Sequence, residues 1–108
     1  MSKDKIYGHP LSAPTKIVTS IAKHLKVSFH LEVVDLTGGA QHDESFKKVN
    51  PNMKVPVLVE GDFVITESLA IAKYLCDKGE GTSLYPRDPK QRAFIDMHIA
   101  ILNDLRMN

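Results

Sequence analysis

The stretch from Lys54 to Leu75, KVPVLVEGDFVITESLAIAKYL, constrains this chain more than any other. It reads as strand, tight turn, strand and helix. Val57–Glu60 and Phe63–Thr66 pair as a hairpin around Gly61-Asp62, because Gly-first turns of the primed types match the right-handed twist of the flanking strands. Leu69, Ala72, Leu75 and Cys76 then recur at helical spacing up to Gly79. Val55-Pro56 precedes the hairpin, and Glu67-Ser68 stands where the second strand becomes the helix. Exposed N–H groups and the macrodipole make a helix N-terminus a carboxylate site. A serine there adds a hydroxyl donor, and a glutamate faces an ammonium group. The junction suits a zwitterionic amino-acid end.

The residues before it supply partners for the hairpin. Lys5–Gly8 is a short strand candidate. Ser12-Ala13-Pro14 reads as a helix start, with a capping hydroxyl and a proline in the first turn, where its missing N–H costs little. Ile17, Val18, Ile21, Ala22 and Leu25 continue with helical spacing. From Val27 to Asp35 the period becomes two, with Val27, Phe29, Leu31 and Val33 on one face. A loop with a Gly38-Gly39 break follows, then a short helix over Asp43–Val49 stopped by Asn50-Pro51. The order β-α-β-α-β-β-α places four strands in one mixed sheet with helices on its faces.

Gly81–Pro89 is a turn-rich linker, and a long helix is expected from about Asp88 to the end of the sequence. Its apolar residues Phe94, Ile95, Met97, Ile99, Ile101, Leu102 and Leu105 fill more than one narrow stripe. A helix apolar on two sides wants two neighbours. The division expected is therefore a small α/β domain over residues 1–82 and, over 83–108, a linker with the first helix of an all-α second domain or a helix that packs on another chain.

Composition narrows the function classes. The chain has 108 residues, enough for one core. Net charge is +1 with interspersed signs, so no strong field points to nucleic acid or to a membrane surface. Cys76 is the single cysteine, which excludes an internal disulfide framework and a dithiol redox pair. MSKDKIYG lacks the apolar run of a secretory signal, and no segment approaches the ~20 apolar residues of a membrane span. A reducing compartment, the cytosol, is the expectation. His9, His24, His30 and His98 show no metal-ligand spacing and read as structural or solvated. No metal site, glycine-rich phosphate loop or Ser-His-Asp set is discernible.

The segments IYGHPLSAPTKIV (6–18), FKKVNPNMKVPVLVEGDFVITESLAIAKYL (46–75) and LYPRDPKQRAFID (84–96) together resemble the N-terminal, thioredoxin-like domain of cytosolic glutathione transferases, most of all the serine-type phi, theta and delta classes. The combination of NP, VP and ES at these spacings is specific, although each dipeptide alone is weak. The resemblance implies a thioredoxin-like fold, glutathione as cosubstrate with no bound metal or prosthetic group, and a homodimer whose dimer-forming part includes the last helix.

It also implies roles. Ser12 and Thr15 occupy the two places where thioredoxin-like oxidoreductases carry reactive cysteines, so thiol–disulfide exchange by the protein's own sulfur is not expected there. Ser12 reads on its own as an N-cap; the resemblance makes it the donor that stabilises the glutathione thiolate. Glu67 and Ser68 correspond to residues that take the γ-glutamyl end. Val55-Pro56 fits the cis-proline loop, whose exposed Val55 backbone would hold the cysteinyl part. Lys54 would meet the glycyl carboxylate. Gln41 and His42 fall in the loop where these classes place further glycyl-carboxylate contacts, often a His-Lys pair. Here the residues are Gln41-His42-Asp43: Gln41 falls at the histidine place, and a one-residue gap would restore His42. The expected function is thus activation of glutathione for conjugation to electrophiles. The alternative is a non-catalytic interaction module on the same fold, and retention of Ser12, Glu67 and Ser68 argues against it.

Overall fold

The computed structural model describes residues 4–79 and 84–107, of which the last two only in their backbone. Its elements are β1 (Lys5–Gly8), α1 (Ala13–His24), β2 (His30–Val33), a single 3₁₀ turn (Ala40–His42), α2 (Glu44–Lys47), β3 (Val57–Glu60), β4 (Phe63–Thr66), α3 (Ser68–Lys78) and α4 (Pro89–Met107). The strands form one mixed sheet in the order β2-β1-β3-β4. β1 runs parallel to β2 and antiparallel to β3, and β3 runs antiparallel to β4. This is the β-α-β-α-β-β-α arrangement with a long last helix that the sequence predicts. The expected boundary at residues 82/83 and part of the expected linker lie outside the described residues.

Alternation along the strands gives the sheet two cores. Ile6 and Leu58 point to one face and join Val18 and Ala22 of α1 with Ile71 and Leu75 of α3. Val57 points to the other face, where it meets Val34 and Phe46, with Tyr7 and Val59 packed alongside. Each fully buried aliphatic side chain contributes roughly 1.5–3 kcal/mol relative to exposure. Gly8 lets α1 approach the sheet: a Cβ there would stand 2.5 Å from Thr15 Cγ2. Thr15 is itself buried, and its hydroxyl accepts from His9 N–H at 3.3 Å.

The second strand is shorter than its pattern. The period-two run predicts a strand over Val27–Asp35, yet only His30–Val33 pairs. A ladder extends no further than its partner, and β1 offers four residues, the first pair being Lys5↔His30. Val27 instead bonds Ala22 C=O through its N–H at 2.9 Å. Val27, Phe29 and Leu31 do pack on the first core, but Val33 is 54% exposed and Val34 takes the buried place in the second. The short helix is likewise trimmed, from the predicted Asp43–Val49 to Glu44–Lys47.

Candidate functional site

The first helix begins at Ser12. Its backbone is extended, its carbonyl accepts from Lys16 N–H at 3.0 Å, and its Oγ accepts from Thr15 N–H at 3.3 Å. Capping uses one acceptor lone pair of the hydroxyl and leaves its proton to donate elsewhere. Ser12 is half-buried at the start of a helix with no acidic residue in its first turn, so nothing there offsets the positive end of the dipole.

The third helix begins beside it. Ser68 is its first residue and is buried, while Glu67 before it is exposed. Glu67 has φ 74 and ψ 115, a conformation that costs a non-glycine residue of order 1–3 kcal/mol and persists only where the surroundings impose it. Here β4 ends at Thr66 and α3 starts at Ser68, so a single residue makes the reversal.

Between these helix starts runs the loop before β3. The Val55-Pro56 peptide bond is cis. Asn50 is buried and fixes the loop: its Nδ2 donates to Lys54 C=O at 2.9 Å, and its Oδ1 accepts from Asn52 N–H at 3.0 Å. In the sequence Asn50-Pro51 reads as a helix stop; the structure adds this second role for Asn50. That role needs the closed loop, which brings the Lys54 carbonyl to the buried carboxamide.

These segments enclose a cleft of about 540 Å³ lined by Ala13, Pro14, Asn50, Lys54, Val55, Pro56, Thr66, Glu67, Ser68 and Asn103. Of the residues singled out in the sequence, Lys54, Val55, Pro56, Glu67 and Ser68 line it. Ser12 stands one residue before the lining residue Ala13. Gln41 and His42 lie in the 3₁₀ turn and are not among the lining residues; Gln41 Oε1 is buried without a hydrogen-bond partner, and His42 is exposed. Asn103 comes from α4, the helix that the sequence pattern assigns to a second domain or another chain. Cys76 is buried on the core side of α3, and burial raises its thiol pKa, so it is a packing residue rather than a reactive one.

α4 reaches the cleft because polar contacts fix it to α3. Arg92 lies over the Tyr85 ring with Cζ 3.8 Å from its centroid. The same guanidinium donates to Pro86 C=O at 2.9 Å, Tyr85 C=O at 3.1 Å and Asp77 Oδ1 at 2.9 Å. One turn on, Asp96 accepts from Tyr85 O–H at 2.9 Å and pairs with Lys73 at 2.9 Å. Arg92, Ile95, Asp96, Ile99 and Asn103 form the half-buried stripe of the helix. Phe94, Met97, Ile101, Leu102 and Leu105 are exposed on the rest of it.

Among the described residues no three His, Cys, Asp or Glu side chains gather as metal ligands, and no helix is long and apolar enough to cross a membrane.

Residues 3–77 match the family model described as glutathione S-transferase, N-terminal domain. Glutathione S-transferase 2 of Anopheles gambiae is 38% identical over 95 residues, covering 86% of this chain and 46% of that protein. Human glutathione S-transferase theta-1 is 40% identical over 97 residues, covering 89% and 40%. A crystal structure of a glutathione transferase homologue from Drosophila mojavensis, with bound glutathione, superposes with a TM-score of 0.84 at 38% identity, covering 89% of this chain and 44% of that one. A delta-class glutathione transferase from Nilaparvata lugens superposes at 0.82 with 40% identity, covering 89% and 46%. The chain thus spans less than half the length of these relatives. With the matching family model, the thioredoxin-like sheet and a cleft built from the two helix starts and the cis-proline loop, this chain belongs to the glutathione S-transferase family by its N-terminal domain.

Proposed function

We propose that the cleft binds glutathione and that Ser12 holds its sulfur as a thiolate for attack on electrophiles. The observation that carries this reading is the convergence of the α1 start (Ala13-Pro14, directly after the Ser12 cap), the Glu67-Ser68 junction and the Val55-Pro56 loop around one cleft. The γ-glutamyl carboxylate meets Ser68 N–H and hydroxyl, and its ammonium meets Glu67. The Val55 backbone pairs with the cysteinyl part, and Lys54 reaches the glycyl carboxylate. That orientation brings the sulfur to the start of α1.

A free thiol has pKa ~8.5, so little is ionised at neutral pH. A hydrogen bond to a charged group contributes roughly 1.5–3 kcal/mol, which at ~1.4 kcal/mol per unit lowers the thiol pKa by about one to two units. The proton leaves to solvent, the sulfur forms the new carbon–sulfur bond, and the electrophile's displaced electron pair departs with its leaving group or is protonated. Ser12 is an anion stabiliser here, not a nucleophile.

The remaining expectations belong to the same reading: a cytoplasmic homodimer, in which the exposed apolar face of α4 is covered by the rest of an all-helical domain or by a second copy. Titration calorimetry with glutathione, combined with the ultraviolet absorbance of the thiolate, tests the proposal. Ser12→Ala is expected to retain most of the affinity while the thiol pKa of bound glutathione rises by about one to two units. An unchanged thiol pKa removes the role of Ser12. No heat at millimolar glutathione removes the binding reading and favours the interaction module.

A further inference from the structure

Residues 9–12 form a tight turn between β1 and α1, with Pro10 at its second position and Ser12 at its last. The turn closes through Ser12 N–H, which donates to His9 C=O at 2.9 Å. Proline favours that second position because its φ is already set. Packing does not hold the turn, since Pro10 is exposed and Leu11 is 76% exposed. Hydrogen bonds hold it instead, and His9 is at their centre. Its N–H donates to Thr15 Oγ1 at 3.3 Å, its C=O accepts from Ser12, and its Nδ1 accepts from Leu11 N–H at 3.0 Å. Thr15 N–H in turn donates to Ser12 Oγ at 3.3 Å. His9, Ser12 and Thr15 thus close a ring, and Thr15, buried against Gly8, anchors that ring to the sheet.

We propose that His9 is a positioning residue for Ser12: its imidazole Nδ1, by accepting from Leu11 N–H, locks the turn that presents the Ser12 hydroxyl to the glutathione sulfur. The inference rests on the reading of Ser12 as the donor to that sulfur. The bonds from His9 N–H and to His9 C=O use its backbone, and other residues could make them. The bond from Leu11 needs a side-chain acceptor at the first position of the turn, two residues before the donor. Asn and Asp make this contact with a side-chain oxygen; His9 makes it with a ring nitrogen. Accepting at Nδ1 puts the proton of the neutral ring on Nε2. Without the bond, Leu11 N–H turns to water and the turn is free to rotate at Leu11, carrying Ser12 with it. A hydrogen bond weakens steeply as its angle departs from linearity, so the loss falls on the bond to sulfur. The tripeptide itself is held at Glu67, Ser68 and Val55 in this reading. His9 therefore bears on the charge state of the sulfur and not on retention of the ligand.

The test is a double-mutant cycle on the full chain: His9→Ala, Ser12→Ala and both together, with His9→Asn as the restoring change. The thiolate absorbance of bound glutathione is titrated against pH, with affinity by calorimetry and thermal unfolding in parallel. His9→Ala is expected to raise the thiol pKa of bound glutathione by about 0.5–1 unit, as for loss of a single neutral hydrogen bond. Its affinity is expected to stay within about twofold of the parent. His9→Asn returns the parent thiol pKa, because its carboxamide oxygen accepts from Leu11 N–H. In the Ser12→Ala background His9→Ala adds no further shift, since its effect passes through the hydroxyl. A residue that served only the fold would lower the melting temperature and leave the thiol pKa in place. An unchanged thiol pKa in His9→Ala, or an equal shift in His9→Asn, overturns the role of His9 and leaves that of Ser12 standing. A further shift in the double variant, or loss of the folded state in His9→Ala, overturns it as well. No shift in Ser12→Ala, or no glutathione binding by the parent, removes the reading beneath it and this inference too.

Discussion

At Glu67 the backbone and the proposed site make conflicting demands. The chain must reverse between β4 and α3 within a single position, and the backbone there adopts φ 74. Glycine would take that conformation without steric cost, yet a glutamate stands there with its side chain exposed at the cleft. Strain retained at the proposed ligand site is explained if the side chain is needed for binding. Glu67→Gly is therefore expected to raise stability by about 1 kcal/mol in chemical denaturation. It is also expected to lower glutathione affinity by tenfold or more, the equivalent of a lost charge-assisted bond of roughly 1.5–3 kcal/mol. A variant that is both less stable and equally tight in binding contradicts this. Ser12 was legible from its neighbours, because a hydroxyl directly before Ala-Pro is a helix-start pattern. Asn50 was not, because its partner, the Lys54 carbonyl, is recognisable only once the loop has closed.

Among the elements, α4 carries the clearest division of labour. Its half-buried stripe is polar where it meets α3 and the residues before the helix, through Arg92 and Asp96, and apolar one turn further on at Ile99. Arg92 reaches two carbonyls, one carboxylate and one aromatic face. Lysine could not reproduce this planar, multidentate contact. Arg92→Ala is expected to loosen α4 while leaving the sheet intact. Hydrogen exchange checks this: amides of α4 should exchange faster, while those of β1 and β3 should keep their protection. Uniformly faster exchange over all elements would mean instead that Arg92 supports the whole fold. The hairpin and α3 have the bounds that their sequence patterns indicate, since a tight turn at Gly61-Asp62 and a one-residue reversal at Glu67 delimit them locally. β2 does not, since its length is fixed by the neighbour it pairs with.

At the scale of the molecule, carboxylates tie distant parts of the chain together. Lys78 bonds Asp4 before β1, at 2.9 Å, and also Glu60 of β3, which in turn accepts from Tyr74. The hydrogen bond from Lys78 holds Asp4 below the ordinary carboxylate range, Arg92 does the same for Asp77, and Lys73 followed by Tyr85 does so for Asp96. A carboxylate with a lowered native pKa contributes stability that is complete above its unfolded value, ~3.9, and is lost as pH falls through the native value. Lys78, raised by Glu60 and Asp4, contributes stability that is complete below its unfolded value, ~10.4, and is lost only as pH rises through the higher native value. The melting temperature should therefore stay level from about pH 5 to 9 and drop below about pH 4. Because these pairs are partly exposed, high salt should shrink the difference between pH 7 and pH 4. A melting temperature that rises on acidification would contradict the assignment.

The sequence by itself determined the local units of this protein: the Gly61-Asp62 hairpin, the Ser12-capped start of α1, the Glu67-Ser68 junction where α3 begins, the cis-proline loop by family resemblance, and the order of strands and helices. Each of these is written in contacts a few residues long. Only the tertiary structure decided what those units share. It showed that Asn50 pins the loop, that Gln41 and His42 fall outside the cleft lining, and that a helix assigned to another domain lends Asn103 to the same cleft. Periodicity records which face of an element is apolar. It does not record the pairing partner, or the rigid-body placement of one element against another, and that placement brings residues 13, 55, 68 and 103 around one space.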